Sequence, residues 1–548
     1  MDHRKRTPSE RLVLDQSDSQ PSQRKFSFGY PHPSQSGSSD GKMILGSGGF
    51  MLDLDAEKRQ AYQLAKVVGV VAIMASALSQ EYGSGINYVA TQTLSVYPAI
   101  MNLVPVAMFV TGLFYLPKVL LFMRYGRTMP RAGGSYVWIT RSLGMRVGFI
   151  VHFLWWISLA FAMGVLAFTF GTFLSAGLTS AGIGGGVFFV TAWGHILCGA
   201  VAIWLIFWLH YRGIGNYAAL VTILMGVVIL TAGLVVGIGF SHSPANVLAA
   251  AHTQLHVTLV APAHPGSFSL SAFLSVCTLF IFAYGGISAA PFLGGEAKDG
   301  TRSVPQGILW GWIAAIVLFT AVALAVFHAA PWWALLGLIN HGDTAYATTP
   351  GLVGLLGGHV LGAVVNLLVA LIVGKTLAPQ MMGTSRIVFA WAEDHLFPTR
   401  FAQGSRFQTP AAALLLAAII GTFSLVQSSL IGWSIGVTFR SIAILLILAL
   451  LGISVLHLRW GSRFRSKAWT PVITQGWGIL VLAGLAIVIA AVLISSVIVT
   501  PHTAWYFQPA FQAAVALVIG IVLYEWFRVR AQDQGITIAT IADELPLE

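Results

Sequence analysis

Long apolar segments constrain the fold of this chain more than any other feature. A bilayer core of about 30 Å is crossed by about 20 mostly apolar residues of helix. Because 56% of the 548 residues are hydrophobic and only 9% are charged, most of the chain belongs in a membrane. Twelve candidate spans, numbered 1 to 12 in order, are 66–96, 98–124, 143–177, 187–210, 214–240, 269–296, 306–330, 351–390, 410–428, 431–457, 475–498 and 509–528. The sequence predicts an all-α integral membrane protein of about twelve transmembrane helices.

The basic residues are distributed unevenly among the loops. The loops near 178–186, 241–268, 331–350 and 499–508 contain no lysine or arginine, whereas the alternate loops and the tails contain most of them. Loops rich in lysine and arginine stay on the cytoplasmic side. The net charge of +11 is therefore a topology signal and does not indicate nucleic-acid binding. The pattern predicts a multi-pass protein of the cell membrane with both termini in the cytoplasm.

Composition divides the chain into three regions. Residues 1–60 are rich in serine, proline, glutamine and charge, which predicts a largely disordered cytoplasmic tail. Residues 61–530 form the predicted membrane domain, and 531–548 a cytoplasmic C-terminal tail. Cys198 and Cys277 fall in different spans, so we expect free thiols. The sequence predicts no metal site, no cofactor and no catalytic residues.

Glycines interrupt two of the apolar segments. Gly83-Ser84-Gly85 lies in span 1, and Gly285-Gly286 lies in span 6. Non-helical backbone at membrane depth survives only where it lines a protein cavity or is buried in protein. Interrupted segments in corresponding halves of a chain are typical of a transporter's binding site. The alternative is that these glycines only allow close helix packing.

Four stretches together resemble the amino acid–polyamine–organocation (APC) superfamily of permeases. They are Gly83-Ser84-Gly85-Ile86, Met129-Pro130-Arg131-Ala132-Gly133-Gly134-Ser135-Tyr136, Phe282-Ala283-Tyr284-Gly285-Gly286 followed by Gly294-Gly295-Glu296, and the stretch 383–398 ending span 8. The resemblance covers about residues 60–530. It implies the LeuT-type fold, in which spans 1–5 and 6–10 form inverted repeats, spans 1 and 6 are broken, and spans 11 and 12 lie outside the repeats.

In such a fold the two breaks bind an α-amino acid. Backbone amides in the first break suit the carboxylate, because a helix N-terminus attracts anions. Carbonyls of Phe282, Ala283 and Gly285 suit the ammonium. Tyr284 is expected to act as an aromatic gate, and Ser288 departs from the carboxylate of many relatives, which weakens the case for a strongly cationic substrate. The predicted substrate-binding residues are Gly83, Ser84, Gly85, Ile86, Phe282, Ala283, Tyr284, Gly285, Gly286 and Ser288.

Two charged residues fall inside spans near the breaks. Glu81 precedes the first break, and Lys375 lies in span 8. Ionisable residues at such depth are costly and usually functional. The resemblance implies a cation site between spans 1 and 8, so we expect Lys375 to supply an amine with Glu81 as its partner or as the proton carrier. A static pair and a lysine that faces a water-filled vestibule are the alternatives. Thr376 keeps sodium coupling open, although protons are favoured.

Three further charged residues lie at the cytoplasmic ends of helices: Arg131, Glu296 and Arg386. We expect an inner gate of ion pairs, with snorkelling and the positive-inside bias as the alternative. For Arg440 of span 10, the sequence leaves open a role in the outer pathway and a packing role.

The resemblance implies secondary active transport of amino acids by alternating access, with proton coupling as the finer prediction. A polyamine or organocation carrier, an amino acid exchanger and a transporter-like nutrient sensor remain alternatives. The chain contains no HExxH motif and no Walker-type loop, so neither a zinc hydrolase nor an ATP-driven pump is indicated. The expected partners are an amino acid as the small-molecule substrate, a coupling ion and the lipid bilayer; oligomeric state is not predicted.

Overall fold

The computed structural model describes residues 64–83, 85–264, 266–431, 439–461, 467–497 and 504–546. In these residues the regular structure is helical, apart from an isolated parallel β-bridge between Val68 and Ala297. The predicted all-α class is confirmed. The predicted tail 1–60 and Ser84 lie outside the described residues.

Eleven helices in the described part of the chain are long and apolar enough to cross a membrane. They correspond to predicted spans 2 to 12, and we keep those numbers. Their bounds are Pro98–Thr128, Met145–Ser180, Ala192–Tyr211, Ile214–Ser241, Leu270–Phe292, Gly300–Ala329, His359–Glu393, Ala411–Leu430, Arg440–Trp460, Gly478–Ser495 and Pro509–Asp533.

Span 1 is the remaining predicted span, and its helix is interrupted. An α-helix over Val70–Glu81 ends before the break, and a π-helical turn over Gly85–Val89 leads into a second α-helix, Ala90–Val96. Each piece is too short to cross a bilayer alone. Span 6 also changes character, from an α-helix over Leu270–Ile281 to a 3₁₀ turn over Ala283–Ser288. The two irregular segments lie five spans apart, as a five-plus-five repeat requires.

The predicted start of span 8 was wrong. A separate helix, Thr349–Gly357, precedes it, and the long helix begins only at His359. Gly358 between them has φ of 86°, in the left-handed region that favours glycine and ends a helix. The apolar run continues through this turn, so hydropathy alone could not place the boundary.

Burial separates inner helices from outer ones. In the most apolar 18-residue stretch of span 3, 72% is buried inside the protein, whereas in the corresponding stretch of span 11 the share is 28%. Spans 3 and 8 pack along each other, and span 1 packs against spans 5, 6 and 7. Outer helices expose large apolar side chains such as Ile223 and Val481, which suits contact with lipid. The two breaks are thus enclosed by the inner helices.

Candidate functional site between the two breaks

The break in span 1 frees backbone carbonyls, and side chains of neighbouring segments satisfy them. The Lys375 ammonium donates to the carbonyl of Ser79 at 2.9 Å and to that of Tyr82 at 3.5 Å. Thr376 Oγ1 also donates to the Ser79 carbonyl, at 3.1 Å. Asn87 Nδ2 donates to the Gly83 carbonyl at 2.9 Å. An interrupted helix in a bilayer needs such partners, because no water replaces them.

The break in span 6 is tighter than predicted. The Gly285 amide donates to the Phe282 carbonyl at 3.2 Å, so this carbonyl is not free, contrary to the prediction. The helix narrows into a 3₁₀ turn and does not unwind fully. A Cβ on Gly286 would lie 2.4 Å from Cγ and 2.6 Å from the backbone nitrogen of Glu81. The close-packing alternative therefore describes Gly286 correctly, since this glycine lets spans 1 and 6 touch.

Glu81 connects the two breaks. Its Oε1 accepts a hydrogen bond from the Ile287 amide at 3.1 Å, and Oε2 has no hydrogen-bond partner among the described residues. In the same part of the chain no hydrogen bond or ion pair joins Glu81 to Lys375, so the expected pairing of these two side chains is absent here. The lysine contacts span 1 carbonyls, and the carboxylate caps an amide of span 6. Both residues are buried.

Tyr284, the predicted aromatic gate, is held by packing and by a hydrogen bond in this conformation. Its buried hydroxyl donates to the Met108 carbonyl at 3.1 Å, and its ring packs against Tyr115 and Phe319. Phe282, two residues earlier, faces the space between the breaks. Residues two apart point in nearly opposite directions on a helix, so Phe282 and Tyr284 do not face the same neighbours.

Sequence reasoning missed a second buried amine, Lys118 of span 2. Its ammonium donates to Tyr115 Oη at 2.8 Å and to Ser288 Oγ at 3.1 Å. It therefore lies beside Ser288, one of the predicted substrate-binding residues. The signal was present in the sequence: a single lysine within an apolar span, the pattern that identified Lys375.

A small cavity lies between the breaks. Its volume of about 10 Å³ is room for one water, so the cavity is too small for an amino acid in this conformation. Five of the predicted residues line it: Glu81, Gly83, Gly85, Phe282 and Thr376. Four further lining residues had no predicted site role: Gln80, Leu166, Gln380 and Arg440. The other described residues of the predicted substrate and coupling sites are buried but are not among its lining residues: Ile86, Ala283, Tyr284, Gly285, Gly286, Ser288 and Lys375.

Glu296 and Arg386 form a buried ion pair at the end of span 6. Nη2 of Arg386 lies 2.5 Å from Oε1 of Glu296, and Nε lies 3.3 Å from Oε2. Both side chains are 0% exposed. The Val68 amide donates to the Glu296 carbonyl at 2.9 Å, so the segment before span 1 joins the same contact. Arg131, the third predicted gate residue, is half-buried, and its backbone packs against Gly294.

A second buried ion pair, which was not predicted, involves a residue of one of the four motif stretches. Arg141 binds Asp394 through two hydrogen bonds of 2.7 Å, and Tyr136 Oη donates to the same carboxylate at 2.7 Å. Arg141 Nε also donates to the carbonyl of Glu544, in the segment after span 12. Asp394 and Tyr136 belong to two of the four motif stretches, which was the available signal.

A protein-family model described as amino acid permease matches residues 66–522. The chain belongs to the amino acid permease family. This membership confirms the resemblance to the APC superfamily. Because the family consists of permeases, the prediction that the chain is not an enzyme is confirmed as well.

Curated relatives from bacteria and plants are similar to parts of the chain. The inner membrane transporter YjeM of Escherichia coli strain K12 is 28% identical over 284 residues, 48% of this chain and 52% of YjeM. The branched-chain amino acid permease BcaP of Lactococcus lactis is 24% identical over 328 residues, 56% and 64% of the two chains. The polyamine transporter PUT1 of Oryza sativa is 25% identical over 303 residues, 55% and 51%. The chain spans about half the length of YjeM and PUT1.

Proposed function

We propose that the protein carries amino acids across the cell membrane by alternating access, driven by protons, with both termini in the cytoplasm. The observation that carries this proposal is the contact of Lys375 with the freed carbonyls of Ser79 and Tyr82, beside a cavity between two helix breaks. The ammonium occupies a position at which the same carbonyl oxygens could coordinate a metal cation.

The chemistry of the lysine provides the coupling step. A protonated amine donates to both carbonyls and holds spans 1 and 8 together, whereas a neutral amine has fewer donors and no charge. Loss of the proton therefore weakens the contact between a broken helix and its neighbour. Glu81 bridges the same broken helix to the Ile287 amide of span 6, so its charge acts on the second break.

The inner ion pair completes the cycle that we propose. Glu296 and Arg386 close the cytoplasmic end in this conformation, and alternating access requires the pair to separate when the site opens inward. The backbone of Arg131 packs on Gly294, two residues before Glu296. Arg131 is the third gate residue of the proposal.

A polyamine carrier is the second candidate, since PUT1 bears that name. A polycation needs several carboxylates, and Glu81 is the one carboxylate among the described residues that line the cavity, beside the cation Arg440. This charge balance favours amino acids.

Transport into liposomes tests the proposal. With purified protein and labelled amino acids, we expect uptake that requires an inward proton gradient and not sodium. Lys375→Met and Glu81→Gln are each expected to reduce uptake by about tenfold to hundredfold. The first leaves the carbonyls of Ser79 and Tyr82 without their donor, and the second keeps an acceptor for the Ile287 amide but removes the titratable charge. The matched control is Lys298→Met, whose side chain is exposed and which should keep wild-type uptake.

Three results would contradict parts of this proposal. Gradient-driven uptake by Lys375→Met at the wild-type rate would show that the lysine takes no part in proton coupling. Uptake that requires amino acid inside the liposomes and ignores the gradient would establish exchange instead. The absence of flux for every amino acid and amine would contradict transport and favour a sensor.

A further inference from the structure

A buried arginine adjoins the cavity without a negatively charged partner among the described residues. Arg440 of span 10 is 2% exposed. Its guanidinium lies 4.9 Å from the ring centre of Phe282 and 5.4 Å from that of Trp155, and it donates to Gln380 Oε1 at 3.5 Å. In the part of the chain that the structure describes, its Nε has no hydrogen-bond partner.

The charges near this guanidinium do not form an ion pair with it among the described residues. Glu81 lines the same cavity, but its Oε1 accepts from the Ile287 amide, and Lys118 interacts with it electrostatically. Lys375, bound to carbonyls of span 1, adds a further positive charge. A buried charge without a counter-charge is strongly destabilising, and one at membrane depth is a functional group by default.

Gly285 of the second break lies beside the guanidinium. A Cβ on it would lie 3.9 Å from both Nε and Nη2 of Arg440 but only 2.8 Å from Cδ1 of Ile444, so a larger residue does not fit at this contact. Gln380 Oε1 also accepts from Gln80 Nε2 at 2.7 Å, which fixes the amide that the guanidinium touches. Arg440 is therefore held in place by neutral groups, with a donor facing the cavity.

We propose that Arg440 binds the side-chain carboxylate of an acidic amino acid, and that acidic amino acids are the substrate class. The inference rests on the proposed function, amino acid transport, and on the prediction from the sequence that amides of the first break bind the α-carboxylate. A guanidinium presents a planar fork of donors that matches a carboxylate. A neutral amino acid leaves Arg440 unpaired and a basic one adds a like charge, so the order of affinity is acidic, then neutral, then basic.

Binding and uptake by the same purified protein test this inference. Binding of labelled glutamate is competed with aspartate, glutamine, leucine and lysine, and the labelled forms of these amino acids are then offered to liposomes. We expect glutamate and aspartate to bind at least about thirtyfold more tightly than glutamine, the scale of a buried charge pair. Arg440→Gln should lose this advantage while glutamine binding is kept, and Arg440→Lys should fall between them because it keeps the charge without the fork.

Arg302→Gln is the matched control, because it makes the same change in a side chain that is 84% exposed. Wild-type binding and uptake of neutral or basic amino acids, without competition by glutamate or aspartate, would overturn the inference and leave the proposed function standing. Equal loss of glutamate and glutamine binding in a folded Arg440→Gln protein would also overturn it. If that variant does not fold, the wild-type competition order decides. If no amino acid binds or crosses, the proposed function fails and this inference fails with it.

Discussion

Replacing Glu296 by glutamine is expected to lower the free energy of unfolding by about 3–5 kcal/mol, the scale of breaking one side of a buried ion pair. The change leaves the guanidinium of Arg386 charged, 0% exposed and without its carboxylate. The partners that remain for Arg386 include the Ser385 hydroxyl at 3.1 Å, which carries no charge. Titration with SDS in mixed micelles, followed by tryptophan fluorescence, measures the effect.

An exposed ion pair provides the control for this prediction. Arg528 and Glu525 lie 2.7 Å apart, nearly as close as the buried pair, but their side chains are 38% and 36% exposed. Glu525→Gln should change stability by less than about 1 kcal/mol. An equal effect of the two substitutions would show that burial does not set the strength of the Glu296–Arg386 pair.

Changing both partners separates stability from gating. The double variant Glu296→Gln, Arg386→Gln removes the unpaired charge, so we expect most of the lost stability to return. If the pair is an inner gate, this stable variant should still differ from the wild type in its rate of amino acid uptake into liposomes. Wild-type transport by the double variant would restrict the pair to a structural role and contradict the gate.

Replacing Gly286 by alanine is expected to reduce uptake more than tenfold. The added Cβ would meet Cγ of Glu81 at 2.4 Å, its backbone nitrogen at 2.6 Å and the Ala77 carbonyl at 2.7 Å. Two of these atoms are backbone atoms, so a side-chain rotation cannot relieve the overlap. Overpacking of this kind costs about 1–3 kcal/mol or more, and here it separates spans 1 and 6 at the breaks. Liposome uptake and the unfolding titration together measure the change.

Gly226 provides the matched control in span 5. It is an exposed helical glycine, and a Cβ added to it would have nothing within 4 Å. Gly226→Ala should preserve uptake and stability, since alanine favours a helix over glycine. Normal uptake by Gly286→Ala would mean that the two broken helices do not need their close contact for transport.

Much of the fold could be predicted because a bilayer makes membrane insertion a local property of the chain. Each apolar run is judged by its own length and composition, so spans 2 to 12 were found, and the interruption at Gly83 and Gly85 was found with them. The start of span 8 was missed, since hydropathy does not register the positive φ of Gly358.

The residues of the site could be predicted in part. Glu81 and Lys375 are lone charges in apolar runs, and the energetic cost of a charge at membrane depth was enough to single them out. The same argument applies to Lys118, which was overlooked. Arg440 was noticed without a role, because nothing in the local sequence says that it faces the second break.

The membrane-spanning segments, their glycine interruptions and the intramembrane charges follow from the sequence, because each depends on the composition of one short stretch. Which charge meets which group was decided by the tertiary structure: Lys375 contacts the carbonyls of span 1, and Glu81 contacts the Ile287 amide. An α-helix turns by about 100° per residue, so a small difference in rotation or register redirects a side chain to another neighbour. That rotation is set by the packing of all the inner helices together.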